Sequence, residues 1–228
     1  MTVSSWFSLY FGDQKNLVEP DELRGKVWPA FDALPNQPMI FQHQVHETGG
    51  HAVSTQTLEL LKTSLVYNSD YLITNLPQVG IGILTADCLP IALADPINHA
   101  IALVHAGWRG TVGEIARAAL AHMHELYGTR PEDILVYYGP CAHTCCYQVD
   151  TPFLEQLPTW ARAAVIARDG RDYFDLLLCN TLVLESCGVK KNSFDTSHSK
   201  CTICNHNFCS YRRNPGTTAR QMSIIWIH

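Results

Sequence analysis

The stretch LTADCLPIALADPINHAIALVHAGWRG, residues 84 to 110, decides how the chain folds. Its runs LPIALAD (89–95) and AIALVHA (100–106) are short and apolar throughout, with turn residues between them. That is the pattern of strands buried on both faces. Asp95-Pro96-Ile97-Asn98 has Asp first and Pro second, the chemistry of a type I turn. Pairing Asp95 with Asn98 sets a register in which Cys88 lies directly across from His105 on one face, with Cβ atoms about 4.5–5.5 Å apart. A loop of odd length would instead put the two on opposite faces. His99 falls beside the turn, away from both.

Outward from this hairpin, MIFQHQVH (39–46), VGIGILTAD (79–87), ILVYYG (134–139) and MSIIWI (222–227) carry the same strand signature. TVGEIARAALAHMHELYG has apolar residues at helical spacing, a Thr111/Glu114 capping box and Gly128 as a stop, which predicts an amphipathic helix over 111–127. Further helices are expected over about 152–166 and over 175–188, ending at Gly188. No repeat or Ser/Gly-rich linker divides the chain. The expectation is an α+β (mixed α/β) fold: one compact domain over 1–228, with layered mixed β-sheets flanked by helices.

The 228 residues are 46% hydrophobic and 16% charged, with a formal net charge of −5. Basic residues form no stripe, only short groups such as Arg212-Arg213, so nucleic acid is not expected as a partner. The N-terminal MTVSSWFSLYFGDQKN lacks the parts of a signal peptide, and no window nears eighteen uninterrupted apolar residues. A cytoplasmic protein with no membrane association is expected. In that compartment nine cysteines point to metal ligation, reactivity or plain burial before disulfides.

A thiolate and an imidazole facing each other on one strand pair suit a shared metal ion at about 2.0–2.3 Å from each. FQHQVH offers a third ligand. His43 and His46 would point to opposite faces of a strand, so at most one serves, and His46, at the strand end, is the better placed. Two nitrogens and one thiolate with an open fourth position describe a catalytic zinc site, and zinc lowers the pKa of bound water toward about 7. Copper is also compatible with these donors. Without metal, the same pair describes a hydrolase with Cys88 as nucleophile and His105 as base. Each residue taken singly is also consistent with an ordinary core or surface position.

Three further motifs bear on chemistry. Cys201-Thr-Ile-Cys204-Asn-His206-Asn-Phe-Cys209 has zinc-knuckle-like spacing, with local packing or redox-sensitive thiols as the alternative. Multicopper oxidase chemistry is a poor fit, since the single HxH pair, His122-Met-His124, lies on a predicted helix where its members do not share a face. The zinc deaminase signature is absent: no H-x-E occurs, and Pro140-Cys141 is not followed by the required Cys.

TADCLPI (85–91), HAGWRG (105–110), QVH (44–46), GPC (139–141) with CYQV (146–149), SYRR (210–213) and TTARQ (217–221) together resemble the YfiH-like family, also called the multicopper polyphenol oxidase or laccase domain. The resemblance spans roughly residues 40 to 221. It implies a compact α/β domain with layered sheets and a zinc site at His46, Cys88 and His105. It also implies purine nucleoside phosphorylase activity on adenosine, inosine and methylthioadenosine, with adenosine deaminase activity. An older label for members is polyphenol oxidase, and some bacterial members are described as peptidoglycan-editing factors, which leaves a Cys/zinc hydrolase as the alternative. This chain has Glu47 where the family has the glycine of QVHG, and Ala219 where it has the glycine of TGRQ.

Phosphorolysis requires a site that holds phosphate against the ribose carbon. Gly107-Trp108-Arg109-Gly110 leads toward the predicted helix, where free N–H groups and the Arg109 guanidinium would form an anion site. Arg213 and Arg220 are further anion candidates through the SYRR and TARQ matches. Trp108 could stack on a purine or simply be buried. Gln44 enters as a substrate contact through QVH. Asp87 would orient ligand or water, or else bond backbone at a bulge. The implied partners are a purine nucleoside and phosphate, and the chain is expected to be a monomer or small homo-oligomer.

Overall fold

The computed structural model describes residues 1–18, 27–28, 39–61 and 68–228. Two sheets are layered face to face. The first has seven strands in the order Thr2–Val3, Phe7–Phe11, Arg220–Ile227, Gly80–Thr85, Met39–Phe41 and Val27–Trp28, with Leu17–Val18 also pairing on Arg220–Ile227. The second has six, in the order Phe194–Asp195, Leu135–Tyr138, Leu89–Asp95, Ala100–Ala106, Tyr71–Thr74 and Gly50–Ala52. Both mix parallel and antiparallel pairs. A three-stranded sheet of Gln148–Val149, Arg171–Phe174 and Val165–Arg168 stands apart.

Burial on both faces explains why the central strands read as continuous apolar runs. Ile101, Leu103, Ala92 and Ala94 face the seven-stranded sheet, where they pack with Ile81, Ile83, Ile225 and Leu9. Their neighbours Ile91, Leu93, Ala102 and Val104 face the other way, onto Ile115, Ala119, Leu120 and Met123 of helix Ile115–Tyr127 and Leu176 and Leu184 of helix Leu176–Ser186. Each fully buried side chain of this size contributes about 1.5–3 kcal/mol. Because residues two apart share a face of a strand, His105 faces the inter-sheet layer along with Ile101 and Leu103.

Strands Leu89–Asp95 and Ala100–Ala106 have the bounds the sequence predicts. Their register is shifted: the ladder closes at Asp95↔Ala100 around a four-residue loop, and His105 faces Pro90 rather than Cys88. Asp95 accepts the N–H groups of Ile97 and Asn98 on its carboxylate, while His99 takes a left-handed φ of 48° that lengthens the turn. The loop is still even, so the face is kept. Cys88 lies two residues before Pro90, just outside the strand.

The other differences have equally local causes. MIFQHQVH is a strand only over Met39–Phe41. Beyond it the Gln44 amide donates to Leu84 O and accepts from Leu84 N, both at 2.8 Å, so a side chain replaces the next rung of the ladder. The 111–127 helix is two helices, Trp108–Val112 and Ile115–Tyr127, broken at Glu114 with a φ of 61°. Thr111 caps nothing, being fully buried and accepting a hydrogen bond from Asn180 Nδ2 at 3.0 Å. The 152–166 segment is helix Thr151–Glu155, a 3₁₀ turn Thr159–Ala164 and the start of a strand. Pro158 disfavours helical backbone in the residue before it. Helix Leu176–Ser186 lies within its predicted span, capped by Asp175 accepting from Leu178 N.

Candidate active site and metal centre

The chain leaves the seven-stranded sheet at Thr85 and enters the six-stranded sheet at Leu89. The three residues of that passage place Cys88. Asp87 turns the backbone with a φ of 82°. Its carboxylate accepts Thr202 Oγ1 and Arg212 N, each at 2.6 Å, and its carbonyl accepts Ala142 N at 2.9 Å. With both carboxylate oxygens committed, Asp87 acts on the site through the turn that aims Cys88.

Asp70, fully buried, organises the two histidines. His105 Nδ1 donates to Asp70 Oδ1 at 2.7 Å. An ionised carboxylate only accepts, so Nδ1 carries the proton and Nε2 is left as the ligand atom. The same carboxylate accepts the N–H groups of Val45 (3.3 Å), His46 (3.0 Å) and Glu47 (2.7 Å). Those bonds hold His46 at a left-handed φ of 62°, a conformation that costs an L-residue about 1–2 kcal/mol. The His46 and His105 rings meet edge to face with centroids 4.7 Å apart. One ligand atom from each of His46, Cys88 and His105 lies within 4.8 Å of the others. Gly107 permits this crowding, since a Cβ there would sit 3.1 Å from Cys88 Sγ and 3.4 Å from His46 Cδ2.

The electrostatics follow from the geometry. Burial works to raise the Cys88 thiol, but His105 and His46 prevail and hold it at about 6. Burial works to lower His105, but the Cys88 thiolate and Asp70 push it up to about 9. Asp70 is itself held below the usual carboxylate range: burial opposes this, and the His105 bond with the N–H groups of Glu47 and His46 outweighs it. A proton is therefore shifted from the Cys88 thiol toward His105, leaving an anionic sulfur beside an imidazole anchored on a carboxylate.

These residues form the floor of a cavity of about 510 Å³, within the usual range for small-molecule sites. Gln44, His46, Asp87, Cys88, His105, Trp108 and Arg109, all candidates from the sequence, line it. Phe41, Tyr147, Tyr211, Arg212 and Arg220 complete the walls. Arg109 lies over the Trp108 ring at 4.4 Å and Arg212 over the Tyr147 ring at 5.1 Å. Arg213 is turned away: its guanidinium donates to the carbonyls of Thr202, Ile203, Asn205 and Phe208. Arg212, its neighbour, faces the cavity. HAGWRG does not lead into the long helix, so Arg109 stands within the five-residue helix Trp108–Val112.

Sequence reasoning missed Asp70, which is 35 residues from His105 and belongs to no motif. The cysteine knuckle is assembled differently from the sequence expectation. Cys201 and Cys204 meet Cys145 and Cys146, not His206 and Cys209.

Comparison with known proteins agrees with this architecture. The family model for multi-copper polyphenol oxidoreductase laccase matches residues 6–228. The purine nucleoside phosphorylase YlmD of Geobacillus stearothermophilus is 33% identical over 95% of this chain and 81% of its own length. The purine nucleoside phosphorylase of Deinococcus radiodurans is 38% identical over 70% of this chain, and the match spans 61% of that relative. The crystal structure of YlmD from Geobacillus stearothermophilus superposes with a TM-score of 0.73 at 30% identity, covering 83% of this chain and 73% of that one. YfiH of Bacillus licheniformis gives 0.74 at 29%, covering 83% and 74%. By sequence and by fold, the chain belongs to the multi-copper polyphenol oxidoreductase laccase family.

Proposed function

We propose that this protein is a zinc-dependent purine nucleoside phosphorylase. The observation that carries the reading is that Arg109, Arg212 and Arg220 all line the cavity whose floor is His46, Cys88 and His105, although Arg212 and Arg220 each keep Nη1 on a backbone carbonyl. Guanidinium groups suit phosphate recognition, and Trp108, Tyr211 and Phe41 offer faces to a purine. The names of the similar phosphorylases support the same substrate class.

Zinc fits the donor set. Two imidazole nitrogens and a thiol already held in its anionic form are ligands it prefers, and Asp70 fixes the tautomer of His105 as an outer partner. When bound, the ion supplies positive charge and Lewis acidity at the cavity floor. The chain's own residues do the rest. The three arginines hold phosphate, the aromatic walls hold the base, and the closed floor keeps the ribose carbon between them. A phosphate oxygen attacks that carbon, the glycosidic bond breaks with its electron pair leaving on the base, the proton released by phosphate ends on that base, and ribose 1-phosphate forms. Adenosine, inosine and methylthioadenosine are the proposed substrates, with hydrolytic deamination of adenosine at the same floor. None of the nine cysteines is paired in a disulfide, and a reducing, cytoplasmic setting goes with this reading. No helix among the described residues is long and apolar enough to cross a membrane.

The test incubates adenosine and inosine with the protein, with and without phosphate, and follows free base and ribose 1-phosphate. Release of base only when phosphate is present is expected; release of free base without phosphate overturns the reading. A second reading has its own observation: Cys88, His105 and Asp70 also form a Cys–His–Asp sequence of contacts, the constellation of a thiol hydrolase. That enzyme keeps its activity after chelation and loses it to iodoacetamide, whereas the phosphorylase loses activity on chelation and regains it with zinc.

A further inference from the structure

We propose that Cys145, Cys146, Cys201 and Cys204 form a second, structural zinc site, a tetrathiolate staple joining two loops beside the cavity. One sulfur from each lies within 4.8 Å of the other three. Cys145 Sγ and Cys204 Sγ are 3.8 Å apart. Four sulfurs at about 2.3 Å from a tetrahedral zinc stand about 3.8 Å from one another, so the observed separation is that of a tetrahedron's edge. It is far from the bonding distance of about 2.05 Å in a disulfide.

The backbone around Cys201 favours anionic sulfur, while burial and the neighbouring sulfurs hold the Cys145 and Cys146 thiols up in the metal-free chain. Cys201 and Cys204 form a CxxC turn in which the N–H groups of Ile203 and Cys204, with that of His143, point at Cys201 Sγ. Arg213 donates to the carbonyls of Thr202, Ile203 and Asn205, holding them outward. Across the cluster, Arg168 Nη2 donates to the carbonyls of Thr144 and Cys145, at 3.4 Å each. Four thiolates around one zinc carry a net charge of about −2, and the two guanidinium groups bonded to this backbone help to offset it. Four ionised sulfurs this close repel one another, and a divalent cation removes the repulsion.

The two loops already meet through an isolated pairing of Cys141 with Cys201, a hydrogen bond of His143 Nε2 with Ser199 Oγ at 2.9 Å and one from Arg212 Nη1 to Gln148 O at 2.8 Å, and the staple adds a tie at their tips. They carry Tyr147 on one side and Tyr211 and Arg212 on the other, all cavity walls. The staple thus sets the position of the walls without touching the floor. On binding, each thiol gives its proton to water as its sulfur bonds zinc, and nothing is oxidised.

Elemental analysis of the full-length chain, prepared without chelator, tests this. Two zinc per chain are expected in the wild type, one in Cys88→Ala, and one in the double variant Cys145→Ser/Cys204→Ser. Should the double variant fail to fold, cobalt loaded into Cys88→Ala gives an independent answer through the intense thiolate charge-transfer absorption of a tetrathiolate centre. A wild type with one zinc that disappears entirely in Cys88→Ala overturns the staple while leaving the floor site intact. A Cys145–Cys204 disulfide found by mass spectrometry in protein prepared under reducing conditions overturns it as well.

Discussion

Asp70 concentrates more of the site's order than any ligand does. One buried carboxylate sets the tautomer of His105 and accepts three consecutive N–H groups that hold His46 in its left-handed conformation. Replacing it with a near-isostere, Asp70→Asn, removes the charge but keeps the volume. Zinc affinity at the floor should fall about 10–100-fold, measured by competition with a chromophoric chelator on protein whose circular dichroism matches the wild type. An unchanged affinity refutes this role for Asp70. The proton on His105 gives a second expectation. In the metal-free chain burial lowers His105 but Cys88 and Asp70 raise it to about 9, and Cys88 is a thiolate above about 6. Between those values a metal must displace one proton, from His105, so affinity should rise about tenfold per pH unit and level off above about 9. Below about 6 Cys88 also holds a proton, and the dependence should steepen. A flat profile from pH 6.5 to 8.5 contradicts the charge distribution described for the pair.

At the scale of elements, backbone conformations that only a few residue types adopt easily decide where helices stop. Gly128 ends helix Ile115–Tyr127 with a φ of 72°, its N–H donating to His124 O, and a Cβ there would meet nothing within 4 Å. The cost of Gly128→Ala is therefore the left-handed backbone alone, about 1–2 kcal/mol, read as a lower denaturation midpoint with an unchanged slope. This terminus was legible in the sequence because glycine at that position has one structural meaning. The break at Glu114 was not, since a capping-box pattern and a left-handed glutamate look alike in one dimension. The hairpin strands were legible for the opposite reason: burial on two faces leaves an unbroken apolar run. Their register was off by two residues, yet Cys88 and His105 still came together, because an even shift preserves the face. Asp70 and the Cys145/Cys146 pair had no such local signature, being brought to their partners from 35 and 59 residues away by strand pairing within the six-stranded sheet and the bridge that continues it.

In the molecule as a whole, the layer between the two sheets supports everything at its end. Leu103, fully buried there among Leu72, Ile81 and Ala92, is on the same face of its strand as His105. Truncating it, Leu103→Ala, should cost about 2–5 kcal/mol, seen in the urea midpoint; a loss below about 1 kcal/mol means the layer collapses around the void. The passage of the chain from one sheet to the other between Thr85 and Leu89 adds a mechanical consequence. Cys88 rides on that short bridge, while His105 belongs to the six-stranded sheet and His46 to the segment leaving the seven-stranded one. The donor triangle is thus a gauge stretched across the seam: any slip of one layer over the other changes its edges first. An ion seated in it works as a rivet, and the alignment of the layers and the occupancy of the site become two measures of one coordinate.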